Sequence, residues 1–222
     1  MNVDPKLVTQ SESSTAWSEA YRSLRTNIEY IQVLHNLRTI LVTSAVPEAG
    51  KSLTAANLGV VMAQAGIRTV IVDADLRRPA QHKLFGLTNT KGFTTTLAKD
   101  LAPDVCTQAS PVVHLDVLTS GPLPPNPADL LSSNACVHLL AHLKAQYDMV
   151  LIDAPPVLGL SDAPILGRSV DGVLYVIKSR FNSRRADQKA LQQLKQTGSQ
   201  IIGAVLNQIQ DFDERLYYYA SN

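Results

Sequence analysis

Five short, almost uninterrupted apolar runs, at 39–43, 69–73, 149–153, 172–177 and 201–206, leave this chain few possible folds. Each is long enough for one strand, and none shows the polar alternation of a strand with one wet face. Such runs predict strands covered on both sides, as in parallel sheets. Helical stretches lie between them, clearest at 52–65 and 184–196, and 113–118 reads as a further strand. The expected fold class is therefore α/β: a doubly wound, mainly parallel sheet flanked by helices. Ahead of the first strand, Ala20, Leu24, Ile28 and Ile31 recur at helical spacing and predict an amphipathic helix over 16–34. Residues 120–127, Ser-Gly-Pro-Leu-Pro-Pro-Asn-Pro, read as a rigid surface loop, since proline neither continues a helix nor donates to a ladder. With 222 residues the chain suits one domain over 16–210, with a flexible arm at 1–15 and a mobile tail at 211–222.

Composition removes several function classes. The formal net charge of +1 and the lack of a long basic run argue against nucleic acid as a partner. Cys106 and Cys136 lack CxxC spacing, which disfavours a disulfide scaffold, a zinc site or an iron–sulfur cluster and fits a reducing compartment. The polar N-terminal segment has no signal core, and no stretch reaches the ~20 apolar residues of a membrane span. The expectation is a cytoplasmic protein that meets the inner face of the membrane only through a partner.

The first apolar run leads into Ala45-Val46-Pro47-Glu48-Ala49-Gly50-Lys51-Ser52, and Leu53 opens an apolar helix. The phosphate-loop pattern is G-x-x-x-x-G-K-[ST], and Ala45 stands at its first glycine. Backbone amides from Val46 to Leu53 and the helix N-terminus offer positive charge to the phosphates of ATP. Lys51 adds a full charge at the β- and γ-phosphates, and the Ser52 hydroxyl suits Mg²⁺. An ordinary strand–turn–helix is the competing reading, and it leaves the acidic residues downstream without a purpose.

Those acids end two other strands. Val70-Ile71-Val72 runs into Asp73-Ala74-Asp75, whose two-residue spacing directs both side chains the same way, and Val150-Leu151-Ile152 runs into Asp153. Carboxylates at the tips of buried strands are costly unless something cationic joins them. The plainer alternative makes them helix caps or turn-formers.

Together these motifs resemble the bacterial tyrosine kinases of capsular and exopolysaccharide systems. The similarity rests on the loop at Gly50-Lys51-Ser52, on VIVDADLRRP at 70–79, on VLIDAPP at 150–156, and on Glu19-Ala20-Tyr21-Arg22-Ser23-Leu24-Arg25. It extends over residues 16–222 and implies a deviant P-loop NTPase fold. By resemblance, Asp73 is the base that takes the tyrosine hydroxyl proton, Lys51 neutralises the transferring charge, and Ser52, Asp75 and Asp153 serve Mg²⁺. Asn207 matches a position that contacts adenine. Two departures, Ala45 and Ala154, remove neither a charge nor a metal ligand.

The resemblance further implies a ring of identical subunits joined through Glu19, Arg22 and Arg25. Read alone, these residues make a solvated helix face with Glu19–Arg22 and Arg25–Glu29 pairs. It also implies autophosphorylation at Tyr217, Tyr218 and Tyr219, a separate transmembrane activator and a cognate tyrosine phosphatase. Two rivals stand beside this reading. A partitioning or septum-positioning ATPase would carry a second lysine where Val46 stands. A non-catalytic ATP-binding ring would keep the loop and transfer no phosphate.

Overall fold

The computed structural model describes residues 7, 16–99, 101–179 and 183–209. Along the chain run α1 (Ala16–His35), β1 (Thr39–Ser44), α2 (Lys51–Gln64), β2 (Thr69–Asp73), α3 (Gln81–Leu84), α4 (Phe93–Lys99) and α5 (Pro103–Cys106). There follow β3 (Gln108–Ala109), β4 (Leu115–Leu118), α6 (Pro127–Leu131), α7 (Asn134–Gln146) and β5 (Met149–Asp153). The order ends with α8 (Asp162–Gly167), β6 (Gly172–Lys178), α9 (Arg184–Gln196) and β7 (Ile201–Asn207).

The strands form one seven-stranded sheet in the order β3-β4-β2-β5-β1-β6-β7. All pairings are parallel except the short β3 against β4 at one edge. Alternation along the strands feeds two separate cores. Leu41, Val70, Val72, Val150, Ile152, Val173 and Tyr175 join one cluster with side chains of α4, α7, α8 and α9. Ile40, Val42, Ile71, Met149, Leu151, Leu174 and Val176 join the other with α1 and α2. This is the doubly wound arrangement that continuously apolar strands demand.

Three expectations are corrected in detail. The strand at 113–118 begins only at Leu115, because His114 takes a left-handed backbone at φ 67° that extended pairing cannot use. The buried stripe of α1 is Tyr21, Leu24, Ile28 and Ile31, and Ala20 is exposed, so the helix is turned by one position from the expected face. The segment 120–127 is not wholly at the surface: Ser120 and Gly121 are buried, and Pro127 opens α6. The buried pair has a clear cause. Phe93 N–H and Thr94 N–H donate to the Thr119 and Ser120 carbonyls, and the Asn89 side chain binds Gly121, so the loop's start is sewn to the first turn of α4 and the chain just before it.

Both cysteines are buried and free, with burial pushing the Cys136 thiol up to about 12, so they act as small apolar residues. Of the expected N-terminal arm only Leu7 is described, and it is buried with the α1–α2 core. Among the described residues no helix is long and apolar enough to cross a membrane.

Candidate active site

The strand order assembles the site. β2 follows β1 and α2 in sequence, yet β5 lies between β1 and β2 in the sheet. The loop after β1 and the tips of β5 and β2 therefore stand side by side at the carboxyl end of the sheet, where α/β sheets bind ligands. Asp73 and Asp153 are direct register partners across β2 and β5.

In the loop, Glu48 and Gly50 adopt left-handed backbone at φ 60° and 87°. Glycine tolerates this freely, whereas for Glu48 it is a strain that recurs at binding loops. A side-chain carbon on Gly50 would lie 1.9 Å from Asn207 Nδ2, so the position has no room for one. Asn207 reaches the loop from the end of β7, its Nδ2 donating to the Ala49 carbonyl at 2.9 Å, and Gln208 Nε2 donates to the Glu48 carbonyl at 3.2 Å. Ala45 is fully buried in the core and, like Ala154, keeps ordinary backbone dihedrals, so neither departure strains the loop.

A cavity of about 440 Å³ opens over this loop. Pro47, Glu48, Gly50, Lys51, Ser52, Leu53 and Asp75 line it, with Arg77 and Arg78 opposite. Lys51 is buried yet makes no ion pair among the described residues. A buried, unpaired ammonium is costly, and an anion in the cavity would offset that cost.

Asp73 and Asp75 act as turn-formers beside the cavity. Asp75 Oδ1 accepts from the backbone N–H of Arg77 and Arg78 at 3.3 and 2.9 Å, and Asp73 Oδ2 accepts from Ala80 and Gln81 N–H at 3.0 and 2.9 Å. Each thus holds a turn of the loop between β2 and α3. Asp73 Oδ1 and Asp153 Oδ1 remain buried without a hydrogen-bond partner among the described residues. Asp75 lines the cavity, while Asp73 and Asp153 lie fully buried beneath it.

Burial pushes the Asp73 carboxyl well above its usual range, and the charge of Asp153 beside it adds to the rise, against the pull of the two amides. Burial likewise raises Asp153 to about 6, opposed by the Lys51 charge and then by Ser52 and Gln81. Two adjacent carboxylates that resist ionisation mark a functional site.

Two participants have no counterpart among the expected site residues. Gln81 Nε2 donates to the Ser52 carbonyl at 3.0 Å and to Asp153 Oδ2 at 2.8 Å, tying the phosphate loop to both strand tips, while its own Oε1 is buried and unpaired. The fully buried Asp162 grips Arg77 bidentately at 2.8 and 3.0 Å. Neither belongs to the phosphate-loop signature, although Gln81 follows Arg-Arg-Pro-Ala directly and is marked in the sequence as a residue just after a proline turn.

The side chains of Ser52, Asp75 and Asp153 offer oxygen donors only, and Asp153 Oδ1 is buried without a partner among the described residues, a set that suits Mg²⁺ better than zinc or copper. Among the described residues no group of three or more His, Cys, Asp or Glu forms a metal cage by itself.

Glu19, Arg22 and Arg25 lie outside this cavity, on α1. Arg22 pairs with Glu19 and Arg25 with Glu29, and Arg25 Nη1 also donates to the Val61 carbonyl of α2. Tyr217, Tyr218 and Tyr219 lie outside the described residues.

A family model described as ParA, the NUBPL iron-transfer P-loop NTPase, matches residues 36–212. The chain is 45% identical over 201 residues to the tyrosine-protein kinase YwqD of Bacillus subtilis (strain 168), covering 90% of this chain and 85% of that one. It is 34% identical over 217 residues to the putative tyrosine-protein kinase CapB of Staphylococcus aureus, covering 98% and 95%. The crystal structure of the chimerical protein CapA2B2 superimposes with a TM-score of 0.88 at 36% identity, covering 95% of this chain and 93% of that one. At 23% identity and a TM-score of 0.67, the septum site-determining protein MinD of Pyrococcus horikoshii shares the fold alone. On these grounds the chain belongs to the bacterial tyrosine-protein kinases, a family built on the P-loop NTPase fold.

Proposed function

We propose that this protein transfers the γ-phosphoryl group of Mg-ATP to tyrosine hydroxyls, its own Tyr217, Tyr218 and Tyr219 first, in the control of capsular or exopolysaccharide synthesis and export. The observation that carries the reading is the arrangement of a buried, unpaired Lys51 beside carboxylates from two neighbouring strand tips. Phosphoryl transfer asks a protein mainly for positioning and charge neutralisation.

The amides from Val46 to Leu53 receive the phosphates, Lys51 offsets charge on the transferring group, and Asn207 holds the loop while bordering the adenine. Ser52, Asp75 and Asp153 hold Mg²⁺, which when bound neutralises the phosphate oxygens. Asp73 takes the tyrosine proton on Oδ1, since Oδ2 is fixed by two amides. As the phosphorus–oxygen bond to tyrosine forms, the bond to ADP breaks. Burial and the charge of Asp153 raise the proton affinity of Asp73, the direction that a proton-accepting carboxylate needs.

One fact favours a second assignment, in which Asp75 is the base: it lines the cavity, whereas Asp73 lies beneath. Asp73→Asn and Asp75→Asn separate the two. Loss of the base abolishes the acid limb of the rate–pH profile, and loss of a metal ligand raises the Mg²⁺ concentration required.

Around this centre we place a ring of copies contacting through Glu19, Arg22 and Arg25, a separate transmembrane activator, a cognate tyrosine phosphatase, and a site at the inner face of the membrane. Support comes from the motif on α1 and from the family. The test is transfer of radiolabelled phosphate from ATP by the protein, alone and with an activator segment, compared with Lys51→Met and Asp73→Ala. Tyrosine labelling that disappears in both variants while circular dichroism is unchanged supports the reading. A protein that binds Mg-ATP and labels no tyrosine with any activator leaves the non-catalytic ring in its place.

A further inference from the structure

One cation at the cavity mouth is used by nothing else among the described residues. Arg77 and Arg78 are adjacent and both line the cavity, but they are not equivalent. The Arg77 guanidinium is locked bidentately on the buried Asp162. The exposed Arg78 side chain makes no ion pair or hydrogen bond among the described residues. Its backbone is nevertheless fixed, because Arg78 N–H donates to Asp75 Oδ1 at 2.9 Å. A free guanidinium therefore stands on a turn anchored to a site carboxylate.

The cavity is otherwise hostile to an acidic visitor. Asp75 lines it, Asp73 and Asp153 lie buried beneath it, and a bound triphosphate adds further negative charge. Yet the tyrosine triplet of this chain is preceded by Asp211-Phe212-Asp213-Glu214-Arg215-Leu216. Within a Debye length of about 8 Å such a segment is repelled from the site unless a cation at the mouth receives it.

We propose that Arg78 is a specificity-determining residue that reads carboxylates on the N-terminal side of the acceptor tyrosine, so that the preferred substrate is an acidic tyrosine peptide. The inference rests on the tyrosine-kinase reading above and adds the acceptor's chemistry to it. Arg78 pairs with Asp213 or Glu214 of the incoming segment, and the guanidinium fork suits a bidentate grip. Arg77 cannot substitute, since Asp162 already occupies its fork.

The test uses the full chain with Tyr217→Phe, Tyr218→Phe and Tyr219→Phe, which removes internal acceptors. It also uses a fluorescent peptide spanning 209–219 and two variants of it, one with Asp213→Asn and Glu214→Gln, the other with both positions changed to Lys. Peptide affinity is read by anisotropy in the presence of Mg²⁺ and a non-hydrolysable ATP analogue, and phosphate transfer is read in parallel with ATP. Arg78→Glu is expected to weaken binding of the acidic peptide about tenfold, to leave the neutral peptide within about twofold, and to strengthen binding of the Lys peptide. The acidic-peptide effect fades between low and high salt. A fall in nucleotide affinity as large as the loss for the acidic peptide overturns the assignment. Equal losses for all three peptides, or no loss for any, overturn the assignment of Arg78 and leave the kinase reading intact. Charge-dependent binding without transfer to tyrosine under any condition overturns the kinase reading, and the acceptor assignment falls with it.

Discussion

β5 and β7 are near equivalents on paper, each a short apolar run ending in a polar residue, and in the fold they have opposite fates. β5 lies between β2 and β1 and is buried at every position from Met149 to Asp153. β7 closes the edge of the sheet, half-exposed along its length, with Leu206 54% accessible. Each delivers one residue to the phosphate loop. Asp153 arrives as a buried carboxylate with a raised pKa, and Asn207 as a neutral amide that braces the loop backbone. Rank in the sheet thus sorts the chemistry: the central tip holds charge away from water, and the edge tip supplies a neutral brace.

The sharpest challenge to this contrast is Asp153→Asn. Phosphoryl transfer should fall by roughly a thousandfold or more, because a charge acting directly on the reaction is lost. Stability in EDTA should rise instead. The folded-state pKa of about 6 lies above the unfolded value of about 3.9, so the folded protein holds the proton longer. The native charged form is therefore penalised fully above pH 6, less on descending towards pH 4, and not below. At pH 8 the variant should gain on the order of 2 kcal/mol in urea unfolding, and the gain should vanish near pH 4. A variant less stable than the parent at pH 8 would show that Asp153 is satisfied in the metal-free fold.

Packing offers the next comparison. Ile152→Ala in β5 should cost about 3 kcal/mol, a buried branched side chain replaced by a cavity. Gly50→Ala should cost about 1 to 2 kcal/mol, since it forces a left-handed residue and drives a carbon into Asn207. It should also weaken nucleotide binding at least tenfold by calorimetry. Asn207→Ala removes the bond to the Ala49 carbonyl and should cost about 1 kcal/mol, with nucleotide affinity down about threefold. Leu206→Ala on the exposed edge should fall within about 0.5 kcal/mol of the parent. If Leu206→Ala cost as much as Ile152→Ala, the edge of β7 would have to be covered by something beyond this protomer.

Much of this site is legible in the residues alone. The phosphate loop and the three aspartates stand out because glycine, lysine and terminal carboxylates have few other uses at strand ends. Asp73 and Asp75 turn out to be turn-formers, and in Asp73 one oxygen holds the turn while the other is the one the proposed chemistry uses. Gln81 and Asp162 are not legible in this way, because a glutamine and an aspartate at helix starts are ordinary in sequence and acquire meaning only through their partners. Helix α1 shows the same limit. Its period is evident, but Tyr21 rather than Ala20 faces the core, a choice made by what α2 presents.

Local periodicity, together with residue types of restricted physical role, suffices for the α/β class, the parallel strands and the loop chemistry. Long-range packing had to settle that β5 enters between β1 and β2, bringing Asp153 against Asp73, and that Arg77 is bound while the Arg78 side chain has no partner among the described residues. Strand order and ion-pair choice depend on contacts between residues far apart in the chain, 132 positions for Ile40 beside Gly172, and no local pattern encodes which of several similar apolar strands will become neighbours.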